Sequence, residues 1–135
     1  MDEVTKAALL KSIEHWKENE EVLVISEARV GAAHCALCGL FNRCGEDDDC
    51  EGCPVADATG HLLCGGSPYD ATVEALDDWV FGFSEVVTDC SDGYFPTYLA
   101  HEFIAHWMGR EKFKLAARDE RLFLESLLPT ENKDD

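Results

Sequence analysis

Positive charge is scarce in this chain. Eleven Lys and Arg stand against 28 Asp and Glu, giving a formal net charge of -17. Affinity for nucleic acid rests largely on Lys and Arg displacing counterions from phosphates, so direct nucleic-acid binding is not expected. The one dense basic stretch, Arg110, Lys112, Lys114, Arg118 and Arg121, is interleaved with Glu111, Asp119 and Glu120, a pattern that predicts ion pairs one turn apart on a solvated face. Long apolar runs are missing too. No segment approaches the length of a membrane span, and the N-terminal MDEVTKAALLKSIEHWKENE has neither an uninterrupted apolar segment nor a small-residue cleavage site. The expectation is therefore no membrane, no export and a reducing cytoplasm. Also absent are an internal repeat, a Gly-rich phosphate loop and a Ser or Cys nucleophile motif, and the scattered carboxylates show no acid–base pairing. A non-enzymatic protein is expected.

The apolar and aromatic shares, 46% and 10%, are those of a folded chain despite the charge. The length suits a single domain over residues 1–128, followed by a disordered acidic tail at 129–135. An amphipathic helix is expected over about residues 4 to 20, where Leu9, Ile13 and Trp16 share a face; its end, ENEE, puts acids where a helix C-terminus disfavours them. VLVISEARV, residues 22–30, is β-branched and short, which suits one or two strands. From Ser67, which can cap, and Pro68, a second helix should run with Val73, Leu76, Val80, Phe83 and Val87 along its buried stripe. The C-terminal segment reads as one long helix or two. Gly109 is its weak point, Pro129 its stop, and Phe103, Trp107, Phe123, Leu124, Leu127 and Leu128 its apolar contacts. The fold class is α+β and predominantly helical, with a metal-ordered Cys-knuckle loop packed on helices.

That loop, residues 31–68, holds six of the seven Cys and seven of the ten Gly and reads as knuckles and turns without regular structure. In a chain without an export signal, cysteines in this number point to metal before disulfides. CALCGLFNRCGEDDDCEGCP carries two C-x-x-C pairs, Cys35 with Cys38 and Cys50 with Cys53, separated by eleven residues. Each pair can present two sulfurs to one ion from a single turn, and two pairs complete the tetrahedron that structural Zn²⁺ takes. Gly39, Gly45 and Gly52 supply turns and Pro54 stiffens the exit. Cys44 or Cys64 can replace a member of the first pair, whereas Cys90 reads as a buried thiol. An iron–sulfur cluster is the alternative occupant. Calcium is excluded, because an EF-hand loop starting at Asp47 has its Gly52 but Ala58 where a bidentate Glu is required.

The residues Cys35, Leu37, Cys38, Cys50, Gly52, Cys53, Pro54, Val55, Thr59, Gly60, Cys64, Pro68 and Tyr69 match C-x-L-C, then C-x-G-C-P-V with a following T-G, then C-x-G-T-P-Y. In this the chain resembles a group of small cysteine-rich proteins from tailed phages and prophages. Ser67 stands where that pattern has Thr, and Cys44 and the insertion-like VVTDCSDGYFPTYLAHEFIAHW depart from it. The resemblance implies a phage origin and a bound metal, and brings no activity with it.

The histidines add no metal motif. In HEFIAH, His101 and His106 are five residues apart, about 140° around a helix, so they cannot share one ion from one face. His34 and His61 flank the Cys zone as ligands, supporting groups or ordinary loop residues. The expectation is a small acidic zinc protein that binds a host protein, with an acidic DNA mimic and an iron–sulfur or thiol redox protein as the alternatives.

Overall fold

A computed structural model describes residues 1–31, 35–41, 52–60, 66–89 and 95–129, and their side chains except those of 83–89, 95–103 and 105. The fold is predominantly helical: α1 (Glu3–Asn19), a 3-10 turn (Ile25–Glu27), α2 (Ala36–Phe41), α3 (Pro54–Thr59), α4 (Tyr69–Asp89) and α5 (Phe95–Ser126). No strand occurs among the described residues, and none of the described helices is long and apolar enough to cross a membrane. The long α5 is the common platform. It packs against α4 and α1, while α2 packs on α1.

The α1 helix starts where Asp2 accepts the Thr5 N–H at 2.7 Å, an N-cap that satisfies one of the orphan donors of the first turn. Leu9, Ile13 and Trp16 are buried as their spacing predicts. At the other end, the acids that disfavour a helix C-terminus are offset from outside: Arg121 on α5 donates to both oxygens of Glu20, and also to Glu125 at 2.8 and 3.1 Å. Such a two-sided guanidinium links the end of α1 to the end of α5.

The segment expected to form strands does not, because side chains take up its backbone groups. Asn19, buried at the end of α1, donates to the Arg29 carbonyl at 2.9 Å and accepts the Arg29 N–H at 3.0 Å, pairing with one residue as a neighbouring strand would. Glu27 accepts the N–H groups of Leu23 and Val24 at 2.7 and 3.2 Å, closing the 3-10 turn. Val22 enters the core beside Trp79, while Leu23 and Val24 face outward. β-Branched composition is overruled here by a local hydrogen-bonding alternative.

Ser67 accepts the Tyr69 N–H at 3.2 Å at the start of α4, as its sequence position predicts. The buried stripe differs from expectation by one residue: Thr72, Ala75 and Trp79 are buried, Val73 and Leu76 are half-buried and Val80 is exposed, while the side chains of Phe83 and Val87 lie outside those described. Trp79 sets this phase. Its side chain is only 1% exposed, lies 6.0 Å from Phe113 between ring centroids, and donates through the indole N–H to His106 Nδ1 at 3.3 Å. The same imidazole reaches the Leu23 carbonyl from Nε2 at 3.0 Å; a carbonyl only accepts, so the ring proton is on Nε2 and Nδ1 is the acceptor.

Among the described side chains of α5 the buried ones are Phe113, Ala116, Ala117, Glu120 and Leu124, a single stripe at spacings of three and four; that of Phe103 lies outside them. Trp107 is 56% exposed, so it supplies no core contact, and Glu120 is not on a solvated face; Phe123, Leu127 and Leu128 pack against the core's edge as expected. Gly109 does not break the helix. A Cβ there would stand 2.6 and 2.9 Å from Trp79 Cγ and Cβ, so the glycine is the notch that admits the indole.

Two glycine substitutions should therefore have opposite signs. Alanine gains about 1 kcal/mol of helix propensity over glycine, but overpacking a tight contact costs roughly 1 to 3 kcal/mol. Gly109→Ala should lower the unfolding free energy in urea, whereas Gly82→Ala, where a Cβ meets nothing within 4 Å, should raise it.

Candidate functional site

The two described knuckles are built alike. Each places a cysteine immediately before a six-residue helix. Cys35 precedes α2 and its carbonyl accepts the Gly39 N–H at 3.1 Å; Cys53 precedes α3 and accepts the Asp57 N–H at 2.9 Å. Regular helix thus replaces the irregular turns expected across these parts of residues 31–68. Pro54 occupies the first turn of α3, where its missing N–H has no helical partner to lose. Gly60, at φ +74°, ends that helix with its N–H on the Ala56 carbonyl at 2.8 Å.

The knuckles also lie together. Gly52 turns the chain into Cys53 at φ +85°, and a Cβ at Gly52 would be 3.5 Å from the ring of Phe41, the last residue of α2. Leu37, Cys53 and Val55 are buried in one apolar cluster with Leu9, Ile13, Trp16, Ala117 and Leu124, and Cys35 and Phe41 pack against it. α1 and α5 form the floor, and the two short helices lie over it.

Cys35 is held from two sides. The Ser12 hydroxyl is 3.6 Å from its sulfur, and the Cys38 thiol shares a hydrogen bond with it. That bond and burial raise the Cys35 pKa above the ordinary thiol range, outweighing the Ser12 hydroxyl and the Cys38 N–H, which act the other way. Held in this way, Cys35 is a poor nucleophile, but a thiol can exchange its proton for a cation.

Glu120 projects from α5 into the same region. Its side chain is 2% exposed and its Oε1 has no hydrogen-bond partner. Burial is the main cause that pushes its carboxyl up to about 8. Sequence reading missed this residue, and Ser12 with it. The available signal was the phase of α5: Ala117, Glu120 and Leu124 fall on one stripe, so an acid in that register is an acid in the core.

Of the residues expected to bind metal, Cys35, Cys38 and Cys53 are brought to one side of the core; Cys50 and Cys64 lie outside the described residues. So do Cys44, Cys90, His34 and His61. Among the described residues, no three His, Cys, Asp or Glu side chains are grouped to hold an ion. His106 is committed to Trp79 and Leu23.

The buried acid makes stability depend on pH in a stated direction. A carboxyl at about 8 stays protonated in the folded protein while the unfolded chain ionises near 4.5, so its contribution is full below pH 4.5 and is lost as pH rises towards 8. In metal-free buffer, wild type should lose on the order of 3 kcal/mol more unfolding free energy than Glu120→Gln across that window. Parallel pH profiles for the two proteins would exclude the buried acid as the cause.

No protein-family model matches this chain, and no curated protein or solved structure is similar to it.

Proposed function

We propose that this protein is a small acidic zinc-binding module of phage type, cytoplasmic in the host cell, that acts by binding a host protein. The observation that carries the metal part is the convergence of two like knuckles, Cys35 ahead of α2 with Cys38 in the first turn of that helix, and Cys53 ahead of α3, over one buried floor. Zinc would be held by the pair Cys50 and Cys53, with two of Cys35, Cys38, Cys44 and Cys64 completing a tetrahedral thiolate shell. The ion supplies a cross-link between segments too short to be stable helices alone.

Support for a protein partner comes from the far half of the α4–α5 pair. Residues 79–109 contain eight of the thirteen aromatic residues, and their only charged residues are Glu85, Asp89, Asp92 and Glu102. Phe81 and Trp107 are 66% and 56% exposed there, and Val80, Ile104 and Met108 are exposed with them. Apolar side chains exposed together, as Val80, Phe81, Ile104, Trp107 and Met108 are, on a highly charged protein suit the core of an interface. The net charge of -17 favours a second reading, an acidic mimic of DNA on a basic groove. Binding that weakens steeply with salt would support the mimic, and salt-insensitive binding the apolar interface. An iron–sulfur occupant would colour the protein, whereas zinc would not.

The purified chain should contain one zinc. Cys50→Ser and Cys53→Ser should each lose it and Cys90→Ser should keep it, as read by elemental analysis of each protein. Full zinc retention in both Cys50→Ser and Cys53→Ser would show that the site is assigned wrongly.

A further inference from the structure

The outer face of α5 carries a second pattern besides the buried one. Ile104, Met108, Glu111, Leu115, Arg118 and Leu122 follow one another at spacings of four and three. At about 100° per residue they fall within one narrow arc, on the side of the helix opposite Gly109 and Phe113. The four apolar members are exposed, Leu115 at 60%. A single exposed leucine needs no explanation, but four apolar side chains in this register on one helix make a stripe of the kind on which a second helix packs.

Charge then selects the partner. Residues 104–122 hold five of the eleven basic residues and three of the 28 acidic ones, and of those three Glu120 is buried. Here two copies of a chain with net charge -17 can approach without setting acid against acid. The stripe is also complementary to itself. Met108 and Leu122 each stand seven residues from Leu115, and Glu111 and Arg118, of opposite charge, stand on either side of it. When two such helices cross antiparallel at Leu115, Met108 of each copy faces Leu122 of the other. Glu111 of each then comes within about one residue's rise, roughly 1.5 Å, of the level of Arg118 in the other. Glu111 can turn to that pair, because its contact with Lys114 on the same helix is long, 3.9 Å, and exposed. Trp107, Glu111, Lys114, Leu115 and Arg118, with Glu20, line a shallow hollow of about 420 Å³ on this face, and Leu122 of the second copy would come against it.

We propose that α5 pairs antiparallel with α5 of a second copy of this chain, centred on Leu115, so that the protein is a two-fold dimer. This goes beyond the zinc and host-protein readings and needs neither. Ile104 and Trp107 lie at the ends of the pairing, and Val80 and Phe81 on α4 stay uncovered for a host protein. One helix face is a small interface, so a dissociation constant on the order of 10 µM is expected. A two-fold contact closes at two copies, whereas a basic face set on an acidic face of the next copy would continue.

Sedimentation equilibrium of the full chain tests this, with circular dichroism to show that each variant keeps the wild-type helix content. Wild type should be largely dimeric at roughly 100 µM and dissociate on dilution. Leu115→Glu, which sets two acids against each other at the axis, should weaken self-association roughly 30-fold or more. Glu111→Arg and Arg118→Glu should each self-associate more weakly than wild type, and an equimolar mixture of the two should associate again, since each arginine of the stripe then faces a glutamate. A wild type that stays monomeric at that concentration overturns the proposal. So do oligomers that grow beyond two, a Leu115→Glu protein that dimerises like wild type, or a mixture that associates no better than either variant alone.

Discussion

The seat of Trp79 over Gly109 fixes the rest of the arrangement. An indole that meets the backbone of the facing helix leaves α4 and α5 one rotation and one register, since a slip of a single residue would drive the ring into a side chain. The consequence runs along α5. With Gly109 turned to α4, the positions that follow on the same stripe are Phe113, Ala116, Ala117, Glu120 and Leu124. The first of these complete the Trp79 cluster, and Ala117 and Leu124 lie under α1 and the cysteine knuckles. One glycine thus fixes the face of α5 that carries Glu120, eleven residues further along the helix, into the core.

On this floor the knuckles have modest means of their own. Six-residue helices are below the length at which helix formation sustains itself in water. What holds α2 and α3 in the described structure is local: proline in the first turn and a left-handed glycine at the end of α3, and one or two side chains from each helix, Leu37 and Val55 chief among them, buried in the cluster. Ordering costs roughly 1 to 2 kcal/mol per residue for the backbone, and fully burying a Val or Leu side chain returns about 1.5 to 3 kcal/mol. The balance leaves room for an ion as the element that fixes both knuckles together.

Much of this organisation is legible in the sequence, and the failures have physical causes. The α1 stripe is clear because Leu9, Ile13 and Trp16 stand among polar neighbours. On α4 two apolar stripes lie side by side. Counting apolar residues favours Val73, Leu76 and Val80, whereas the decisive facts are the size of Trp79 and a glycine thirty residues away. On α5, Phe113 is hidden among Glu111, Lys112 and Lys114, while Trp107 looks like core and is exposed. Residues 22–30 have strand composition, but Asn19 and Glu27 answer their hydrogen bonds in a way that spacing cannot reveal. The cysteine pattern identifies which residues share chemistry. Ser12 escapes it because it reaches Cys35 from a distant helix, and Glu120 because only the packing of α5 shows that its position is in the core.

The central claim is that an ion at the thiols orders α2 and α3 against a floor that α1, α4 and α5 build without it. Amide hydrogen exchange with and without one equivalent of zinc tests this segment by segment. Zinc should slow exchange in Ala36–Phe41 and Pro54–Thr59 and leave the buried middle of α5, around Phe113 and Ala117, unchanged. Equal protection of α2 and α3 in the presence and absence of zinc would contradict it.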